Sequence, residues 1–165
     1  AEAIKWYKSK KSVDLFTKHN IFTETELISR CEIHQDHYCK IIHIEALTMI
    51  EMVRHEILPS AMKYSSVLAE SAYKKNKIGI QADFEMDLCR NISAYLVKIN
   101  GLTDKLEKTL DGVKANDNAE KASEYCHNRV TVEMKQLREA VDALEPLMDK
   151  EYMPYPDYGT LMFGV

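Results

Sequence analysis

The chain has 165 residues, with 22 Lys and Arg against 26 Asp and Glu and a formal net charge of −4. That length suits one domain with a sizeable core, and the interspersed charges exclude a nucleic-acid or anionic-membrane footprint. Five Gly and four Pro leave little room for a tightly turned all-β fold.

Ala1 opens the sequence in place of Met and leads into a helix-like AEAIKWY segment, which suggests processing or a piece of a longer protein. A short amphipathic helix follows from Ser12 to His19, and Asn20 punctuates it. Thr23-x-x-Glu26 then reads as a capping box, the threonine oxygen accepting from the N–H three residues on while the glutamate reaches back. Helical periodicity continues to about Lys77. Within it, residues 41–59 (IIHIEALTMIEMVRHEILP) are apolar nearly all round, so this helix must be wrapped by its own domain or shared with a partner surface. Glu45 and Glu51 keep the run too short to suggest a membrane span. Pro59 removes a backbone donor and predicts a kink or break near His55 to Leu58. Lys74, Lys75, Lys77 and Gly79 mark the helix end.

Asp83 is the candidate N-cap of a second long helix. Leu88, Ile92, Tyr95, Ile99, Leu102, Leu106, Thr109 and Val113 recur in steps of four and three, a seam for lengthwise packing. Gly101 interrupts it at about 1 kcal/mol relative to Ala, a cost that a close helix contact would offset. Residues 116–118 break the pattern, and Asp117-x-x-Glu120 resembles a second capping box. The third long helix runs through Ala122, Cys126, Val130, Met134, Leu137, Val141 and Leu144 until Pro146 kinks or ends it. From Tyr152 onward the chain is aromatic, restricted by Pro154 and Pro156, and too apolar to hang in water.

The predicted fold is all-α: an antiparallel bundle of three long helices, the first kinked near Pro59, with a short N-terminal helix and an extended aromatic C-terminal tail. Residues 1–165 form a single helical domain, about 20–150 the bundle and 151–165 a docking tail. Short polar connections make the helices antiparallel neighbours.

Candidate chemistry is sparse. Cys31-x-x-His34-x-x-His37, with Cys39 and His43 nearby, is the arrangement closest to a metal site. On a helix the first three span about 120° at 100° per residue, so two of them could share one ion. Zinc usually draws four ligands from two segments, and Cys126 and His127 stand alone as a second source. Glu51 and His55 are spaced for an i,i+4 ion pair. No phosphate loop, GxSxG, GxGxxG or HExxH occurs. The four cysteines, Cys31, Cys39, Cys89 and Cys126, form no CxxC, and with no secretory signal they read as free thiols in a reducing cytoplasm.

Several blocks together resemble the C-terminal region of type III glutamine synthetases, the long-subunit bacterial class. They are Phe22-Thr23-Glu24 with Glu26-Leu27 and Ser29-Arg30; Ile44-Glu45-Ala46-Leu47-Thr48-Met49 with Ile57-Leu58-Pro59; Met134 with Leu137-Arg138 and Asp142-Ala143-Leu144-Glu145; and Tyr152-x-Pro154-Tyr155-Pro156-x-Tyr158-Gly159 with Leu161 and Phe163. The resemblance implies a cytoplasmic parent ligase that joins ammonia to glutamate through a γ-glutamyl phosphate, using ATP and a divalent metal such as Mg. In that family the metal carboxylates and the nucleotide and glutamate pockets lie upstream, so the resemblance carries no catalytic, cofactor-binding or metal residue onto this chain. It implies a non-catalytic structural and oligomerisation domain, partnered by the upstream catalytic domain and by neighbouring subunits of a homo-oligomer. Two other readings are a stand-alone helical protein-interaction module, and a small metal-binding bundle built on Cys31, His34 and His37.

Overall fold

A computed structural model of the chain describes residues 2–113, 118–156 and 158–164, with Tyr158 as backbone. Regular structure among these residues is entirely helical. In chain order it comprises α1 (Glu2–Lys5), a 3-10 turn (Trp6–Lys8), α2 (Lys10–Lys18), α3 (Glu24–Met52), a π turn (Val53–Ile57), α4 (Leu58–Lys77) and α5 (Asp83–Val113). Then follow α6 (Ala119–Tyr125), a second π turn (Cys126–Val130), α7 (Thr131–Leu144), a 3-10 turn (Glu145–Leu147) and α8 (Tyr158–Phe163). The all-α expectation is met. None of the described helices is long and apolar enough to cross a membrane.

Local chemistry explains most boundaries. The Thr23–Glu26 capping box forms in both directions: the Thr23 N–H donates to Glu26 Oε2 at 2.8 Å, and Glu26 N–H donates to Thr23 Oγ1 at 3.3 Å. The bonds donated to its carboxylate by the Thr23 N–H and hydroxyl hold Glu26 below the ordinary carboxylate range. At the end of α4, Gly79 adopts φ +80°, and the Gly79 and Ile80 N–H groups donate to the Asn76 and Lys75 carbonyls. This double bond to the last turn needs a left-handed residue after the cap, which glycine supplies at no steric cost. The second helix differs from the sequence reading by one residue: Asp83 lies inside the first turn, and the Ala82 carbonyl accepts from Met86 N–H. At α6, Asn118 is the cap, its Oδ1 accepting from Glu120 N–H at 2.8 Å. The Asp117 of the proposed second box, with Asn116, lies outside the described residues.

The disturbance expected near Pro59 is present, but as a π turn rather than a stop. Leu58 N–H donates back to the Val53 carbonyl, and the wider turn accommodates the residue whose missing donor would otherwise orphan a carbonyl. The second π turn has no proline. There Thr131 Oγ1 donates to the His127 carbonyl at 2.6 Å, supplying a side-chain partner within the widened turn. Pro146 ends α7 as expected, through the 3-10 turn at Glu145–Leu147.

The chain forms two compact units, residues 1–48 with 106–134, and residues 49–105 with 135–165. In the first, Leu27, Cys31, Cys39, Ile42 and Ala46 of α3 are buried along with Leu106, Leu110, Cys126 and Val130. The N-terminal segment is tied on by Lys5 to Glu124, by Lys8 to Glu32 at 3.8 Å, and by Tyr7 packed on His34 with ring centroids 5.8 Å apart. In the second, α4 and the first part of α5 make a hairpin whose pairings run in opposite directions: Lys75 to Glu85, Ser65 to Cys89, and Arg54 to Asp104 at 3.0 Å. Its buried apolar residues include Ile57, Leu68, Ile92, Ile99, Leu137 and Leu144.

The α5 seam is half as read. Ile92, Ile99 and Leu106 are fully buried, whereas Leu88, Tyr95, Leu102 and Thr109 are only half-buried. The deeper alternate positions are Thr103 and Leu110. A buried threonine disguises that stripe, and it is tolerated because Thr103 Oγ1 donates to the Ile99 carbonyl at 2.8 Å. Gly101 is exposed and a Cβ there would meet nothing within 4 Å, so the close helix contact expected to offset its cost is absent. Gly112 is more closely approached: a Cβ there would lie 2.5 Å from the Tyr125 hydroxyl, whose side chain would have to shift.

Candidate functional site

Cys31, His34 and His37 do not converge. Cys31 is fully buried and its thiol donates to the Ile4 carbonyl at 3.4 Å. His34 and His37 are exposed on turns that fan away from it, and His34 lies against Tyr7. The 60° step between positions three apart on a helix separates these side chains, as the 3.6-residue period requires. Among the described residues no three His, Cys, Asp or Glu side chains gather in a way that could hold a metal ion. Cys31, His34 and His37 as described therefore share no common point at which one ion could sit.

The buried face of α3 carries a polar layer that the sequence reading passed over. Gln35 and Ser123 are both fully buried, and neither the Gln35 amide nor the Ser123 hydroxyl finds a hydrogen-bond partner among the described residues. One turn on, Cys39 and Cys126 are also buried, and a thiol–thiol hydrogen bond links their ionisation. Burial, the neighbouring Cys39 and that hydrogen bond push the Cys126 thiol up to about 12. Beside them, on the surface, Tyr38 Oη lies 3.5 Å from His127 Nδ1. The only sequence signal for this layer was polarity recurring every four residues (Cys31, Gln35, Cys39) on the face that also holds Leu27, Ile42 and Ala46.

The opposite face of α3 is open and carries apolar residues among charged ones such as Lys40 and Glu51. Ile33, Ile41, Ile44 and Leu47 are exposed, Ile44 by 63%. Of the two coverings expected for residues 41–59, the chain itself supplies one: α3 buries one face, while Ile41, Ile44 and Leu47 opposite stay exposed.

The tail is docked for half its length. The Tyr152 ring packs on Tyr64 with centroids 5.2 Å apart. The Tyr155 hydroxyl is buried, and its burial together with the Glu56 and Glu51 carboxylates pushes it up to about 12. A cleft of about 390 Å³ lies along this segment, lined by Glu145, Pro146, Met153, Pro154, Tyr155 and Thr160 among others. Beyond Pro156 the expectation fails. The chain forms helix α8 instead of an extended strand, and Leu161, Met162 and Phe163 are exposed, Phe163 by 80%. No proline follows Pro156, so nothing blocks a helical turn there, and Gly164 N–H closes it on the Thr160 carbonyl at 2.8 Å. The expected docking of Tyr158 concerns a side chain outside the described residues.

Comparison with known proteins is specific. Residues 1–76 match the family model described as the glutamine synthetase C-terminal domain. A glutamine synthetase from Butyrivibrio fibrisolvens is 30% identical over 166 residues, covering 99% of this chain and 24% of the relative. Glutamine synthetase from Bacteroides fragilis and type-3 glutamine synthetase from Dictyostelium discoideum are each 27% identical over 98% of this chain. The chain spans about a quarter of the length of these relatives (24%, 23% and 23%). The family match from α1 through α4, continued by alignments along almost the whole chain, shows that the chain belongs to the glutamine synthetase C-terminal domain family.

Proposed function

We propose that this chain is the non-catalytic, helical C-terminal domain of a type III glutamine synthetase. The parent enzyme, cytoplasmic on this reading, ligates ammonia to glutamate with ATP and a divalent metal. One observation carries the reading: alignments that consume 98–99% of this chain use only 23–24% of enzymes called glutamine synthetases. The chemistry is assigned to the remaining three-quarters of such an enzyme. The domain's part is mechanical. Its long helices form an antiparallel three-helix bundle, and in one unit the exposed Ile33, Ile44 and Leu47 of α3, in the other Leu161 and Phe163 of α8, are offered to the upstream domain and neighbouring subunits.

The open apolar face of α3 favours this assembly role over a metal-binding bundle, whose ligands stand apart on the helix. An activity assay tests it. The 165-residue chain should produce no γ-glutamyl transfer with ATP, glutamate, ammonia and Mg, whereas the gene-encoded polypeptide that contains it should be active. Transfer by the pure chain, lost when one of its own carboxylates is neutralised, would overturn the proposal.

A further inference from the structure

The N-terminal segment of the first unit is covered on one side only. Resting on the function proposed above, which places the catalytic part before residue 1, we infer that the open side of residues 6–21 docks on that part of the same polypeptide. No residue of α1, the turn at Trp6–Lys8 or α2 is buried. The segment is nonetheless pinned along its inner side. Lys5 pairs with Glu124, the Ile4 carbonyl accepts from the Cys31 thiol at 3.4 Å, and Phe16 packs on Phe22 with ring centroids 5.7 Å apart. Ser9 Oγ accepts from Ser12 N–H at 3.3 Å and caps α2, so the helix starts at a fixed place.

The outer side is apolar and basic. Trp6 is 70% exposed, Leu15 53% and Ile21 55%. At 100° per residue Lys11, Leu15 and Lys18 fall within about 60° of one another on α2, opposite the half-buried Val13 and Phe16. The Ile21 N–H donates to the Phe16 carbonyl at 2.9 Å, which holds Ile21 at the α2–α3 turn, on a groove of about 370 Å³ shared with Asn20, Phe22 and Thr23. Two properties call for a cover. With nine residues, α2 is shorter than the about 12–15 that a helix needs to persist in water without packing. Lys10, Lys11 and Lys18 have no carboxylate partner among the described residues, so the complementary surface is apolar with a rim of carboxylates. The length of chain outside the structure names the occupant. The relatives use only 23–24% of their length on this chain, and the family model that matches from residue 1 describes a C-terminal domain. On that reading the other three-quarters enters at the end that carries Trp6 and α2. A surface tethered there meets the patch at an effective concentration on the order of millimolar, an advantage that a second copy lacks.

Hydroxyl-radical footprinting of the gene-encoded polypeptide tests this, with a synthetic peptide of residues 2–22 labelled alongside as the uncovered reference. Trp6 and Leu15 should lose most of their labelling in the polypeptide. A zero-length carbodiimide should also couple Lys10, Lys11 or Lys18 to a carboxylate that precedes residue 1, in material that runs at the mass of a single chain on a denaturing gel. An active polypeptide in which Trp6 is labelled as fast as in the peptide would overturn this inference and leave the proposed function standing. Links found only at the mass of two chains would assign the patch to a neighbouring subunit and overturn it, as would protection of Trp6 that appears only when phosphatidylserine vesicles are added. A gene that encodes no catalytic part before residue 1 would overturn both.

Discussion

The register of α5 can be tested by truncating two residues three positions apart. Ile99 is fully buried and Leu102 is half-buried, although the apolar periodicity places both on one seam. Ile99→Ala removes three carbons, each worth about 0.8 kcal/mol on burial, or about 2.4 kcal/mol together. A residual cavity adds about 24 cal/mol per Å³, bringing the expected cost to about 3 kcal/mol. For Leu102→Ala the same three carbons are already partly wet, so about 1 kcal/mol is expected. Thr103 sharpens the comparison, because its hydroxyl bonds the carbonyl of Ile99 and keeps the adjoining turn in place in both variants. Urea denaturation of the 165-residue chain, followed by circular dichroism at matched m-values, measures the two losses. A larger loss at Leu102 than at Ile99 would refute the register and restore the seam through Leu88, Tyr95 and Leu102.

Three further outcomes follow from single sites. Gly101→Ala should stabilise the chain by about 0.5–1 kcal/mol, because the site is helical, exposed and has room for a Cβ; destabilisation in the same urea assay would reveal a packing role. Gln35→Leu should be neutral or stabilising by about 1 kcal/mol, since it removes two buried amide atoms that lack partners and keeps the volume; a loss above about 2 kcal/mol would mean that the amide is satisfied. Tyr155 is raised from 10.0 to about 12, so the folded state favours the neutral phenol. Its contribution is complete below pH 10 and is lost as pH rises through 12. Spectrophotometric titration should show one tyrosine ionising last, absent in Tyr155→Phe, and titration of all tyrosines together would contradict the buried hydroxyl.

Local signals were legible in the sequence because their causes are local. The Thr23–Glu26 box, the Gly79 cap and the Pro146 stop each rest on residues within a few positions of one another. The site-level features depend on which helix faces which, and there the sequence misled. Periodicity favoured Leu102 over Thr103 because a buried threonine that bonds its own helix looks polar in a one-dimensional pattern. For residues 41–59 it left two coverings open, the chain's own domain or a partner surface, since hydrophobicity alone does not separate a face covered within the chain from one awaiting a partner. Cys31, His34 and His37 looked clustered by spacing, yet a helix places them on diverging directions, with one inside and two outside. The Cys39–Cys126 pair was invisible for the opposite reason, as it joins positions far apart in sequence.

The open face of α3 carries the last prediction. Ile33, Ile44 and Leu47 lie opposite the buried Cys31, Ile42 and Ala46 of the same helix, so replacing them leaves the core of the unit untouched. Ile44→Glu and Leu47→Lys together should therefore change the stability of the 165-residue chain by no more than about 0.5 kcal/mol, as expected for exposed positions remote from caps and cores. In the full polypeptide the same pair places two charged side chains where the proposed assembly buries apolar surface, and taking charge out of water in such a contact is strongly unfavourable even for a pair. Assembly should weaken, seen as a shift to smaller species in sedimentation velocity, while the circular dichroism of the domain is retained. A variant that assembles normally at concentrations where the wild type does would show that α3 faces solvent in the enzyme, leaving Leu161 and Phe163 of α8 as the surface that meets the rest of the molecule.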